Sequence, residues 1–185
     1  DLGISILSLA ILSPVFLILY MAIILTDGKP TIFTQKRVGL NNSNFIIHKI
    51  RTMKKIDDLN PQKYVIDEQH RITKLGRVIR PIRLDEIPQF YDILRGTMSF
   101  IGPRPEQPKF VEKLSQKLPY YKLRHLLKPG LSGWAQINYQ YAATIEEQSI
   151  KLSYDLYYIK NRNVLLDIQI ILRTIETVVF RRGAK

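Results

Sequence analysis

Two acidic residues side by side, Asp85 and Glu86, sit among arginines in the run GRVIRPIRLDEIPQFYDILRGTMSFIGPRP. Arg77, Arg80 and Arg83 precede the pair and Arg95 follows it. Arg104 stands in a Gly-Pro-Arg-Pro turn, where Pro103 and Pro105 restrict the backbone on either side. Carboxylates ringed by guanidinium groups suit work on a phosphate group, whose charge the cations neutralise. Neighbouring residues of a helix point roughly 100° apart, so the pair is not a symmetric metal clamp. Two carboxylates aimed differently suit two different jobs. Lys49 and Arg51, on one face of a short strand, add two more cations. Asp85 and Glu86 are the candidate catalytic residues. Lys49, Arg51, Arg80, Arg95 and Arg104, with Pro103 and Pro105, are the candidate substrate-binding set.

The element that must present the acids is a helix. Ile87, Phe90, Tyr91 and Leu94 recur at i, i+3, i+4 and i+7, one helical face, and Gly96 stands where that helix would stop. Pro88 is compatible with a first turn, whose N–H groups have no internal partner to lose. Those free N–H groups and the positive end of the dipole attract phosphate. The plainer alternative is that the acids cap the helix, a role worth about 1 kcal/mol. Spacing alone does not separate the two.

At 185 residues the chain has room for one domain with a core. It opens on Asp1 rather than Met, which reads as a fragment of a longer protein. The lack of cysteine excludes disulfides and thiolate metal sites. His48, His70 and His125 match no ligand spacing, and there is no P-loop or GxGxxG. The net charge is 28 − 16 = +12, and all of the excess lies downstream of Asp27.

Leu2 to Thr26 carries no charge, enough to cross a hydrocarbon layer of about 30 Å. The run is too long for a cleaved leader and closes on no small-x-small pattern. Ser13-Pro14 falls at its midpoint. Pro14 cannot donate to the Ala10 carbonyl, a fault worth about 3 kcal/mol in an ordinary helix. Either a kinked helix spans the bilayer, the commoner event in general, or the chain turns back to the side it entered. In the second case the Ser13 hydroxyl satisfies a freed carbonyl.

Downstream, Asp27 to Pro30 is a turn, and Thr31 to Met53 is extended, with a strand over Phe45–Arg51. Lys54 to His70 is polar and predicts a surface loop. Pro108 to Lys128 predicts a basic, aromatic helical region, and Ile145 to Arg162 a helix. Val164 to Arg182 is amphipathic, with Leu165, Ile168, Leu172, Ile175 and Val179 on one face. Such a face either covers a core or lies on lipid.

Taken in order, these motifs resemble the bacterial sugar transferases, the monotopic phosphoglycosyl transferases. The likeness begins at Ser13-Pro14 and runs through Phe33-Thr-Gln35, Arg37-Val-Gly39, Phe45 and Lys49-Ile-Arg51-Thr-Met53. It continues in Leu84-Asp-Glu86, Gln89, Arg95-Gly96, Met98-Ser99 and Gly102-Pro-Arg-Pro105. It ends with Lys128-Pro-Gly130, Gly133-Trp-Ala-Gln136-Ile-Asn138, Tyr154-Asp155 and Tyr158. Each motif is weak alone; in this order they are specific.

The resemblance implies an α+β, mainly helical protein. Residues 1–26 would form a re-entrant helix-break-helix membrane anchor and 27–185 a compact catalytic domain with surface amphipathic helices. That domain would sit on the cytoplasmic face of the bacterial inner membrane. The implied reaction moves a sugar-1-phosphate from a UDP-sugar to polyprenyl phosphate and releases UMP. Asp85 matches the attacking aspartate and the residue at which a magnesium ion is expected. Glu86 matches its partner in proton transfer. The implied partners are the UDP-sugar, polyprenyl phosphate and membrane lipid, with no nucleic acid; a homo-oligomer is left open. Arg83, Thr97 and Tyr139-Gln140 depart from the usual pattern and leave the sugar undetermined. A different class, a basic membrane-surface protein that binds acidic lipid or nucleic acid without chemistry, rests on the charge and the cluster from Tyr120 to His125. UMP release separates the two.

Overall fold

Uninterrupted apolar residues form the first helix, α1 (Leu2–Asp27), in a computed structural model that describes residues 1–54, 71–139 and 142–180. The helix runs through Pro14, which corrects the expected break at Ser13-Pro14. The Ser13 hydroxyl donates to the Ala10 carbonyl at 2.9 Å, the oxygen that Pro14 leaves without an N–H, so the proline removes one bond without ending the helix. One stripe of α1, Leu12, Phe16, Leu19 and Ile23, packs on Ile50, Ile79 and Ile87. The opposite side leaves Leu7, Ile11, Ile18 and Leu25 exposed. By length and composition α1 could cross a membrane. Both of its ends rest on the body. The Asp1 carboxylate accepts from the Ser99 hydroxyl at 2.8 Å, and Arg51 donates to the Asp27 and Gly28 carbonyls.

The next two elements, β1 (Ile32–Val38) and β2 (Asn44–Ile50), form an antiparallel hairpin with Phe33 opposite Lys49 and Arg37 opposite Phe45. Asn41 and Asn42 take the left-handed conformation that a tight connection needs. The polar stretch expected to be a surface loop lies, apart from Lys54, outside the described residues. After it come α2 (Lys74–Ile79), capped by Thr73, and the short α3 (Gln89–Leu94). Next, β3 (Ser99–Ile101) pairs in parallel with β4 (Gly130–Ser132). Gly102 and Gly130 allow this approach, since a Cβ on either would meet the other segment's backbone.

The region expected to be helical from Pro108 to Lys128 is two pieces, α4 (Pro108–Lys117) and a 3₁₀ turn over Tyr121–Leu126. Pro119 explains the division: it pushes Leu118 to extended angles and offers no N–H. Then come α5 (Trp134–Asn138), α6 (Ile145–Asn161) with a Thr144–Glu147 capping box, and α7 (Val164–Val179) with Asn163 as its cap. In α7 the buried residues are Leu166 and Ile170, whereas Leu165, Leu172 and Val179 are 79%, 62% and 66% exposed. The apolar face singled out in the sequence therefore covers no core.

The protein is thus mostly helical with a few short strands. Between the 3₁₀ turn and α6 lies a buried ion pair. Arg124 donates to Asp155 through Nε at 3.0 Å and Nη2 at 2.8 Å, and its guanidinium lies over the Tyr121 ring.

Candidate active site

Asp85 and Glu86 lie in a 3₁₀ turn over Leu84–Glu86, one turn before α3, rather than in the first turn of a longer helix. Pro88 accounts for the correction. It cannot donate to the Leu84 carbonyl, and Ile87 N takes that oxygen instead at 3.3 Å. Glu86 N likewise bonds the Arg83 carbonyl at 3.1 Å, so the attraction for anions comes from side chains, not a helix end. Arg83 opens the turn in the left-handed conformation, φ 54°, which swings its side chain back beside Glu86.

Glu86 is buried and saturated with cations. Lys49 Nζ donates to Oε1 at 2.8 Å, Arg83 Nη1 lies 3.5 Å from Oε2, and Arg104 Nη2 lies 3.8 Å from Oε1. Burial alone would raise this carboxyl. Lys49, Arg104 and Arg83 together outweigh it and hold the group down at about 2. Asp85 differs although it is the next residue. Burial first, and the Glu86 charge second, push its carboxyl up to about 6 against the pull of Lys49 and Arg80. Among the described residues no cation lies within ion-pair distance of it. One carboxylate is neutralised and fixed; its neighbour is the more basic and, beyond its own backbone N–H, has no bonding partner among the described residues.

Around these two acids stand Lys49, Arg80, Arg83 and Arg104, an excess of 4 − 2 = 2 positive charges. The cationic side chains on Glu86 are 20%, 33% and 38% exposed, so they are open to an anionic guest. Arg104 also donates to the Gln136 side chain at 3.2 Å. The structure thus brings Lys49, Arg80 and Arg104 to the acids. Arg51 instead ties down the C-terminal end of α1, and Arg95 lies over the Tyr91 ring at 5.7 Å. Pro103 and Pro105 are buried beside Arg104. Two residues outside the candidate binding set also belong here. Arg83 departs from the family pattern in sequence, and only a backbone conformation invisible there turns it inward. Gln136 lies in a family motif that names no partner for it.

Beyond the acids, an apolar cavity of about 400 Å³ opens between α1, the hairpin and α3, lined by Leu9, Phe16, Ile32, His48, Ile87 and Tyr91. Ile87 directly follows Glu86, so the cavity adjoins the charged site. His48 is fixed on its wall by Asp92, which accepts from the ring at 2.6 Å and from the His48 N–H at 2.9 Å. Among the described residues no three His, Cys, Asp or Glu side chains cluster as a metal cage. Magnesium is commonly held by one or two carboxylates plus substrate phosphates, and the unengaged Asp85 carboxylate fits that donor set.

A sequence profile described as bacterial sugar transferase matches residues 1–181. The chain belongs to the bacterial sugar transferase family. This sugar transferase is 40% identical over 185 residues to a UDP-N-acetylgalactosamine-undecaprenyl-phosphate N-acetylgalactosaminephosphotransferase of Aeromonas hydrophila, covering 100% of this chain and 44% of the relative. It is 36% identical over 190 residues to an undecaprenyl-phosphate glucose phosphotransferase of Komagataeibacter xylinus, covering 100% and 36%. To the uncharacterized sugar transferase EpsL of Bacillus subtilis it is 34% identical over 183 residues, covering 99% and 87%. The chain spans less than half the length of the first two relatives.

Proposed function

We propose that this sugar transferase moves a sugar-1-phosphate from a UDP-sugar to polyprenyl (undecaprenyl) phosphate, as the first membrane step of a bacterial surface glycan. An Asp85 carboxylate oxygen attacks the sugar-proximal phosphorus, the bond to the UMP oxygen breaks, and UMP leaves. An oxygen of polyprenyl phosphate then attacks the same phosphorus and the aspartyl bond breaks. The product is polyprenyl-diphosphate-sugar, and Asp85 is regenerated. A carboxylate nucleophile divides one difficult transfer into two. The rest is positioning and charge neutralisation. The observation that carries this reading is the contrast inside the pair: Asp85 is raised to about 6 and unengaged, while Glu86 is held near 2 by three cations.

Before substrate arrives, Glu86 neutralises Lys49 and Arg104. An incoming diphosphate takes over those cations, and the released Glu86 becomes a better base for the acceptor's proton. Magnesium, held by Asp85 and the substrate's phosphates, would supply further charge neutralisation.

The membrane side of the reading rests on two uncovered apolar faces and on the ends of α1. The exposed residues of α1 and α7 form surfaces suited to lipid. A helix crossing the bilayer away from the body would carry one end about 30 Å off it. Both ends of α1 instead touch the body, at Ser99 and at Arg51. This supports an anchor whose two ends lie on the same side of the membrane, with the catalytic body on the cytoplasmic face of the inner membrane. The apolar cavity beside Ile87 suits the hydrocarbon chain of the acceptor, close in the chain to Asp85 and Glu86.

A panel of UDP-sugars incubated with detergent-solubilised protein, magnesium and undecaprenyl phosphate tests the reading. UMP release with one sugar, dependent on the acceptor for continued turnover, is the expected result. No release with any sugar would contradict it and leave the basic surface-binding alternative.

A further inference from the structure

The loop from Pro103 to Glu106 cannot hold itself in place. Two of its four residues are prolines without an N–H, so its backbone donors are few. It is held through its oxygens instead. Gly130 N donates to the Pro103 carbonyl at 3.0 Å and Val38 N to the Glu106 carbonyl at 2.9 Å. Between them, Arg124 Nη2 donates to the Arg104 carbonyl at 2.9 Å and Arg37 Nη1 to the Pro105 carbonyl at 3.0 Å. Four consecutive carbonyls are thus each taken by a donor from elsewhere in the chain. The two in the middle are taken by guanidinium groups, whose charge-assisted bonds are stronger than those of a neutral N–H.

Neither arginine is there cheaply. Burial pulls the Arg37 pKa down, and its Nε is buried without a hydrogen-bond partner. Arg124 is 2% exposed and needs Asp155 for its charge. The side chain between these clamps is the opposite case. The Arg104 guanidinium is 38% exposed, touches Gln136 and lies 3.8 Å from Glu86. A rigid, buried main chain carries a charged group that stays open.

We propose that Arg37 and Arg124 are positioning residues: they clamp the main chain on both sides of the Arg104 side chain, so that its guanidinium is presented to Glu86 and to the donor's diphosphate. This rests on the reading that Arg104 meets the diphosphate. Preorganising a cation in this way lowers the order lost when the anion binds. Arg37 sits on β1 and reaches the loop from the hairpin; Arg124 reaches it from the 3₁₀ turn over Tyr121–Leu126.

The test is a double-mutant cycle in the detergent-solubilised full chain, with kcat/KM for the UDP-sugar and the thermal midpoint measured for each variant. Arg37→Met is expected to lower kcat/KM about tenfold in the parent protein and less than twofold in an Arg104→Ala background. Arg37→Lys, which keeps one donor for the Pro105 carbonyl, should recover most of the loss. Equal losses in both backgrounds, or none in the parent, would overturn the positioning role while leaving Arg104 as a ligand. An Arg104→Ala variant with unchanged kcat/KM would overturn the assignment of Arg104 itself, and the clamp with it. Should Arg37→Met fail to fold, Arg37→Gln carries the same cycle: a loss confined to the parent background supports the clamp, and an equal loss in both overturns it.

Discussion

Arg104 divides two clusters of charge that are built from the same residue types and behave differently. Its carbonyl belongs to the closed cluster, where Arg124 is wrapped by Asp155 and the Tyr121 ring and both ions are almost wholly buried. Its side chain belongs to the open cluster, where Glu86 gathers Lys49, Arg83 and Arg104 and Asp85 has no ion-pair partner among the described residues. In the closed cluster the two ions are 2% and 3% exposed and pair with each other inside the protein. In the open one cations outnumber carboxylates and remain in reach of solvent. The difference teaches what to look for: an ion pair buried on both sides marks a scaffold, whereas a buried carboxylate whose cations stay open to solvent and outnumber the acids marks a place for a ligand.

Removing one partner from each cluster sharpens the comparison. Arg124→Met strands a buried carboxylate and should cost about 3–5 kcal/mol of stability, read as a lowered denaturation midpoint. Near-parental stability would show that the closed cluster is not the scaffold described. Glu86→Gln instead removes the charge of a buried carboxylate and leaves cations that solvent can reach. Turnover should fall roughly 10²–10⁴-fold with little loss of stability, because the ionisable partner is removed and the shape kept. Parental rates would reduce Glu86 to a structural residue.

Acid should attack the closed region through His125, which packs edge-on against Tyr121 and meets Asn42 at 2.7 Å. Burial, with Arg124 and Lys122 adding, pulls its pKa from 6.5 to about 4. Between those values the unfolded chain takes up a proton that the folded chain refuses. Stability therefore falls as pH drops through that window, by roughly 3 kcal/mol in all. Denaturant titrations at pH 7, 5.5 and 4 check this, and His125→Gln should flatten the slope. A slope unchanged in that variant would assign the acid sensitivity elsewhere. The smallest effect belongs to the side chain on the boundary. Arg104→Ala should raise KM for the UDP-sugar about tenfold without lowering the denaturation midpoint. Unchanged kinetics would make the arginine-proline turn purely structural.

Local chemistry is the legible part of this sequence. An uncharged run, apolar residues at helical spacing, and adjacent acids among arginines all act over a few residues. They anticipate α1, α6, α7 and the charged site. Hydroxyl rescue at Pro14 is legible too, since Ser13 precedes it and Ala10 lies one turn back. What escapes depends on distant pairing or on a single backbone angle. Asp155 meets Arg124 across 31 positions and Asp92 meets His48 across 44, and neither separation leaves a periodic trace. Arg83 reaches Glu86 only because its φ is positive. Pro88 and Pro119 are visible, yet each shortens its helix more than the apolar periodicity around it implies.

The central claim is that the unengaged carboxylate beside the saturated one is the nucleophile. Detergent-solubilised protein given magnesium and a UDP-sugar labelled in the sugar, without polyprenyl phosphate, should stall after the first transfer. Mass analysis of its peptides should then place one phosphosugar on Asp85, and added undecaprenyl phosphate should remove it. Label on any other residue, or full activity in Asp85→Asn, would contradict the account.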